Sequence, residues 1–283
     1  MSILNGRILA KIIQKEIKQE IQRLKQKPGL AIILVGDDPA SHLYVSLKEK
    51  ACKQTGIHFE KIIYEEKTPE EILINKIAKL NNRSDIHGIL VQLPLPGQNP
   101  DNVITAIDPK KDVDGFHPKN LTLLEEGKPC LVPAVVLGII KLIDETKHDL
   151  SGKKAVIISS DIFAKPLLKT LRNRSLNTEV IRWDNVNLAE KTKTADVLIC
   201  AIGKPNFIKG EIIKKGAIVI DVGTTRVGNK VVGDIEQESA KQIARFLTPV
   251  PGGVGPMTVA MLLKNVLEAH RIQTGVGNNQ KIY

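Results

Sequence analysis

The chain has 283 residues, 42% of them hydrophobic, which is enough for more than one core, and two α/β domains are what this length predicts. Its net charge of +10 is carried by lysines spread along the sequence, and aromatic residues make up only 3%. That pattern argues for a solvated basic surface that attracts small anions, and against a nucleic-acid interface. Cys52, Cys130 and Cys200 stand far apart and offer neither a disulfide framework nor a zinc set; no signal peptide is legible and no apolar run would span a bilayer. A soluble cytoplasmic protein without metal or membrane partner is expected.

In chain order, residues 6–27 carry Ile8, Leu9, Ile12, Ile13, Ile17, Ile21 and Leu24 at helical spacing, and Pro28-Gly29 ends that run. Leu30–Val35 reads as a buried strand. A helix follows over 37–56, with Asp37, Asp38 and Ser41 as capping oxygens, Pro39 in the first turn and Gly56 at the C-terminal cap. It sets Tyr44 and Lys48 one turn apart on one face, with Leu43, Leu47 and Ala51 as the adjacent apolar stripe, so Lys48 is expected at the edge of the buried face. Taken alone, a surface lysine beside a half-buried tyrosine is the commoner meaning of such a pair. Strands over 57–64 and 86–92 flank a helix over 69–82, a βαβα rhythm. Leu93-Pro94-Leu95-Pro96-Gly97 stops the last strand, which leaves Gln92 at its carboxyl end, either facing a ligand crevice or merely capping the strand. After a short helix over 100–107, Lys110–Phe116 forms a charged turn; its Asp112 and Asp114 lack the further ligands a metal would need.

The second half has its own pattern: a helix over 134–147, then strands over 154–158, 178–183, 196–202 and 217–222 with a helix over 187–194, the order of a dinucleotide-binding domain. Ser159-Ser160-Asp161-Ile162-Phe163-Ala164-Lys165-Pro166 occupies the place of the phosphate loop yet contains no glycine; glycines appear later, at Gly203 and Gly223. A hairpin is expected over 228–234. The Gly- and Pro-rich stretch 247–258 reads as a rigid binding loop before a helix over 257–270.

Five segments, in order, carry a resemblance: Tyr44-Val45-Ser46-Leu47-Lys48, Val91-Gln92-Leu93-Pro94-Leu95-Pro96, Lys111-Asp112-Val113-Asp114-Gly115-Phe116, residues 216–223, and Pro249-Val250-Pro251-Gly252-Gly253-Val254-Gly255-Pro256-Met257-Thr258. Over nearly its whole length the chain resembles the bifunctional methylenetetrahydrofolate dehydrogenase/methenyltetrahydrofolate cyclohydrolase family, FolD. The resemblance implies an α/β catalytic domain (1–120, with the 257–270 helix packing back on it), a Rossmann-like domain (121–283), a folate cleft between them and a homodimer. It also implies a place in the one-carbon metabolism that serves purine biosynthesis. By resemblance Lys48 is the general acid/base of the hydrolysis, its pKa lowered by partial burial and by the substrate cation, and Gln92 orients it. Tyr44 offers a flat face to the pterin or aminobenzoyl ring, Asp114 accepts two hydrogen bonds from the pterin, and Gly252, Gly253 and Gly255 line the cleft. The cofactor site implied comprises Ile158, Ser159, Ser160, Arg182, Gly203 and Thr224. NADP is the family default; Arg182 suits a 2′-phosphate and Asp184 a ribose hydroxyl, so NAD stays open.

The cofactor loop departs from the family's Gly-Arg-Ser-x-x-Val-Gly-x-Pro. Ile158 stands at the first glycine, Ser159 at the variable arginine, Phe163 at the valine and Ala164 at the second glycine, while Asp161 adds a negative charge. The segment 133–138 likewise keeps only the first proline and the glycine of Pro-Cys-Thr-Pro-x-Gly. A weakened or altered cofactor site is expected, with Ile158 resisting the tight turn and glycine at 158 restoring affinity. Three other readings stand beside the bifunctional enzyme: a cyclohydrolase without dehydrogenase activity, a non-catalytic folate-binding regulator, and a short-chain dehydrogenase. The last shares Tyr-x-x-x-Lys but carries its glycine-rich loop before that dyad rather than after it.

Overall fold

The computed structural model describes residues 1–228 and 230–275. In chain order the elements are β1 (Ser2–Ile3), α1 (Gly6–Ile21), β2 (Gly29–Val35), α2 (Pro39–Thr55), β3 (His58–Tyr64), α3 (Glu70–Asn81), β4 (Gly88–Val91), α4 (Pro100–Thr105), α5 (Pro118–Glu125) and α6 (Ala134–Asp144). They continue with β5 (Lys154–Ser159), α7 (Asp161–Arg172), β6 (Asn177–Ile181), α8 (Leu188–Thr192), β7 (Val197–Ala201), a 3-10 turn at Gly210–Ile212, and β8 (Ile218–Asp221). The last are β9 (Thr225–Val227), β10 (Lys230–Val232), α9 (Gln237–Ile243), β11 (Phe246–Leu247) and α10 (Val254–Thr274).

The chain divides into two compact units, one of residues 1–10 and 135–258, the other of residues 11–134 together with the chain from 259 onward. The expected boundary at 120/121 thus moves to 134/135, because α5 and the 131–134 segment stay with the unit that precedes them: Ala134 N–H donates to Asp114 O, and Asn265 Nδ2 on α10 donates to both Val113 O and Val132 O.

In the unit built on residues 11–134, β2 lies between β3 and β4, all parallel. Every residue of β2 is buried, which explains why its sequence is continuously apolar rather than alternating. Leu73, Ile77 and Leu80 of α3 pack with Ala31, Ile33, Val35, Ile89 and Val91 as one core. The 135–258 unit is a six-stranded parallel sheet, β1-β11-β8-β7-β5-β6, with β5 flanked by β6 on one side and β7 on the other. That reversal of direction beside β5 is the switch point at which open α/β sheets bind ligands. A hairpin is present but starts earlier than the expected 228–234: β9 and β10 pair antiparallel from Thr225 to Val232, and residue 229 lies outside the described residues.

Several elements have no legible sequence signal. β1 and β11 are two residues each and are held by pairing in the sheet rather than by pattern; α5 and α9 are short. α10 begins at Val254, not 257, and draws Gly255 and Pro256 into its first turn, where the missing proline N–H costs no intrahelical bond. All three cysteines are buried thiols, and among the described residues no helix is long and apolar enough to cross a membrane.

A buried histidine pair is expected to make the unit built on residues 11–134 sensitive to acid. His87 lies with its ring 4.6 Å from that of His270, and its Nδ1 accepts from Gly29 N–H. Burial first, then the charges of His270 and Lys111, pull His87 down from 6.5 to about 4. Between those values the unfolded chain binds a proton that the native one refuses. The stability owed to neutral His87 is therefore complete above the unfolded value and is lost as pH falls through this window. Denaturant unfolding at about pH 7.5 and about pH 5 should show a larger acid-side loss for the parent than for His87→Gln; equal losses would rule the histidine out as the cause.

Candidate functional site

The α2 helix that carries Tyr44 and Lys48 is capped as its sequence dictates. Asp38 accepts from Ser41 N–H at 2.8 Å, Pro39 opens the first turn, and Gly56 closes the helix in the left-handed region with its N–H on Cys52 O. Its rotation differs from expectation. Leu43 and Leu47 are 55% and 45% exposed, and the inward face is Ser41, Val45, Lys48, Ala51, Cys52 and Thr55. The lysine is thus within the buried face, only 9% exposed. The apolar stripe misleads because hydrophobicity alone does not choose the face; contact with β2 and β3 chooses it.

Burial gives Lys48 its chemistry. Desolvation lowers its pKa below the ordinary lysine range, and the nearby Asp114 carboxylate and Cys52 oppose that shift. Asp114 is raised in turn by burial, with Lys48 pulling it down and Asp112 pushing it up. Lys48 Nζ donates to Gln92 Oε1 at 2.8 Å. Gln92 follows β4 directly; its backbone N–H bonds Ile33 O on β2, and its Nε2 donates to Leu93 O, which turns the amide oxygen toward the lysine. The Leu93–Pro94 peptide is cis. Tyr44 is half-buried one turn before Lys48 on the same helix face.

Asp112, in a segment that the sequence reads as a turn rather than a metal site, holds that turn together. It is buried and accepts from Gly115 N–H, His117 N–H and Asn120 Nδ2, which organises the turn that presents Asp114. Gly115 is required there: its φ is +86°, and a Cβ would sit 2.5 Å from Pro133 N. Among the described residues no group of three metal-ligating side chains occurs. Cys52, one turn after Lys48, lies on the same buried face of α2.

The other proposed residues lie in the 135–258 unit. Gly252 and Gly253 form the turn between β11 and α10, where Gly252 O accepts from Arg7 N–H, and Gly255 is in the first turn of α10. Ile158 is inside β5, paired with Ile181 and Cys200, and 0% exposed; its side chain packs in the core with Val156, Ile181, Leu198 and Val219. It cannot offer a side chain to a ligand, and it is not strained, since its strand simply continues to Ser159. The turn into α7 is therefore made by Ser160 alone, without glycine. The Ser160 side chain does not cap α7, so it leaves the first-turn N–H groups for an anion. Arg182 follows β6 on the surface, Thr224 precedes β9, and Gly203 follows β7 with φ +69° and open space within 4 Å of where a Cβ would stand. The donor chemistry at the switch point, with open helix N–H groups, two serines, an arginine and room at Gly203, fits a dinucleotide, while Asp161 in the first turn of α7 weakens the fit for its pyrophosphate.

Comparison with known proteins reaches both units. Residues 4–114 match the family model described as tetrahydrofolate dehydrogenase/cyclohydrolase, catalytic domain, and residues 133–274 match the same family's NAD(P)-binding domain. A bifunctional protein FolD of Acetivibrio thermocellus is 48% identical over 277 residues, covering 96% of this chain and 97% of the relative. Among solved structures, the bifunctional FolD of Campylobacter jejuni superposes with TM-score 0.93 at 39% identity (96% and 99% of the two chains). The Trypanosoma brucei enzyme, solved with NADP and an inhibitor, gives 0.93 at 33% (97% and 98%).

Proposed function

Because this chain belongs to the tetrahydrofolate dehydrogenase/cyclohydrolase family, we propose that it oxidises 5,10-methylenetetrahydrofolate to the 5,10-methenyl form with NADP and hydrolyses that product to 10-formyltetrahydrofolate. The observation that carries the reading is the buried Lys48 held by Gln92 beside Asp114. A folate-binding protein without catalysis would gain nothing from burying an amine and lowering its pKa. The match across residues 133–274 favours the bifunctional enzyme over a cyclohydrolase alone.

Ser159, Ser160, Arg182, Gly203 and Thr224 would hold the dinucleotide, which when bound would supply the hydride acceptor of the first step. Tyr44 lies against the folate rings and Asp114 accepts from the pterin N–H groups, and together they orient the bridging carbon. In the second step water adds to the methenyl carbon and gives its proton to the neutral Lys48 amine. The resulting ammonium protonates N5 as the C–N5 bond breaks, and the hydroxyl proton leaves as the formyl group forms, so one proton is released overall. Gln92 keeps the amine aimed without adding charge. A homodimer in the cytoplasm completes the reading, supported by the family resemblance.

The test is an assay of both steps on the purified chain: NADP-dependent conversion of the methylene substrate, and loss of the methenyl chromophore without nucleotide. Absence of the second activity would sink the reading of Lys48; absence of the first alone would return the chain to the cyclohydrolase reading.

A further inference from the structure

The rim of the 135–258 unit beyond β6 and β7 sets Arg182, assigned above to the dinucleotide, against a neighbouring carboxylate and beside an aromatic pair. Arg182, Trp183 and Asp184 follow β6 in succession. Arg182 makes a two-point fork on Asp184, Nε to Oδ1 at 3.2 Å and Nη2 to Oδ2 at 3.4 Å. Beyond β7, Lys204 Nζ lies 3.6 Å over the Trp183 ring, and Phe207 meets the same ring edge-on at 5.9 Å. Because β5 lies between β6 and β7, these two segments meet beyond the carboxyl end of β5, above the Ser159–Ser160 turn. In a dinucleotide fold this is the adenosine end of the crevice, and the residue about twenty positions after the phosphate turn meets the ribose 2′ position. Arg182 and Asp184, 22 and 24 positions after Ser160, both stand near that separation.

Resting on the dinucleotide reading above, we propose that Asp184 is the specificity-determining residue of this site: by occupying Arg182 it restrains recognition of the 2′-phosphate, so that the chain accepts both NADP and NAD. A 2′-phosphate that approached the Nε edge of Arg182 would have to displace the Asp184 carboxylate, and one that took the remaining N–H groups would lie beside that carboxylate as a like charge. Asp161 adds a second negative charge near Arg182. A ribose 2′-hydroxyl, in contrast, donates to a lone pair of Asp184 with the fork left intact, since a carboxylate has more acceptor sites than Arg182 fills. Lys204, stacked on Trp183 and close enough to lower the Asp184 pKa along with Arg182, is the cation left to favour the phosphate. Two cations set against two carboxylates leave little net preference.

The measurement is titration calorimetry of NADP and NAD on the full chain and on Asp184→Asn and Arg182→Gln. Trp183, the only tryptophan, is followed by its emission in the parent. Both nucleotides should bind the parent with affinities within about tenfold of each other and should change Trp183 emission. Asp184→Asn, which keeps the shape and frees Arg182, should shift the ratio toward NADP by about tenfold or more, and Arg182→Gln should weaken NADP alone. An unchanged ratio in Asp184→Asn, or binding without any change in Trp183 emission, overturns the proposal while the dinucleotide site stands. No binding of either nucleotide to any variant overturns the site itself.

Discussion

Lys48→Met lowers methenyltetrahydrofolate hydrolysis by about a thousandfold, the middle of the range for removing a positioned general acid–base, and leaves the fold in place. The fold survives because methionine fills much of the same space and removes a cation that is costly to bury. Gln92 Oε1 loses its donor but is only half-buried, so water can replace it. Oxidation of the methylene substrate should fall far less, since hydride departure needs no strong base. The pH profile separates this role from mere packing. Burial lowers the Lys48 pKa, so the parent's hydrolysis should show a limb below the ordinary lysine range, and that limb should disappear in the variant. Turnover near the parent's rate in Lys48→Met would end the assignment.

The elements that can be read from sequence are those whose signal is local. β2 is continuously apolar because both faces of its sheet are covered, and α2 is delimited by an aspartate, a proline and a glycine whose roles depend only on near neighbours. Lys48, Gln92 and Asp114 are also legible, through a resemblance carried by several short segments in order. What cannot be read depends on long-range contact. The rotation of α2 puts Leu43 and Leu47 outside and Lys48 inside, because the face that meets the sheet is decided by strands elsewhere in the chain. β1 and β11 are too short to have a pattern and exist only as pairing partners. That Lys110–Phe116 is a turn rather than a metal site is legible, but the backbone donors that Asp112 satisfies within it are not.

The same limit applies to Ile158, where the structure reverses the expected effect of a substitution. Read as a loop residue standing where the family has glycine, Ile158 should obstruct the cofactor, and Ile158→Gly should tighten binding. In the structure the side chain is fully buried in β5, between β6 and β7, and belongs to the core of the 135–258 unit. Removing it leaves a cavity in the middle of a parallel sheet and adds the backbone freedom of glycine, at a cost of about 4 kcal/mol or more, a large part of the stability of an ordinary domain. The backbone at 158 is already extended and gains nothing from that freedom. Ile158→Val, which removes one methylene, should cost about 1 kcal/mol. Urea unfolding followed by Trp183 emission, which reports on this same unit, should therefore rank the parent above Ile158→Val and Ile158→Gly far below both. Dinucleotide affinity in the valine variant should match the parent, because the altered atoms face the core. A glycine variant as stable as the parent and binding more tightly would restore the loop reading. It would also mean that this strand ends before Ile158 in solution.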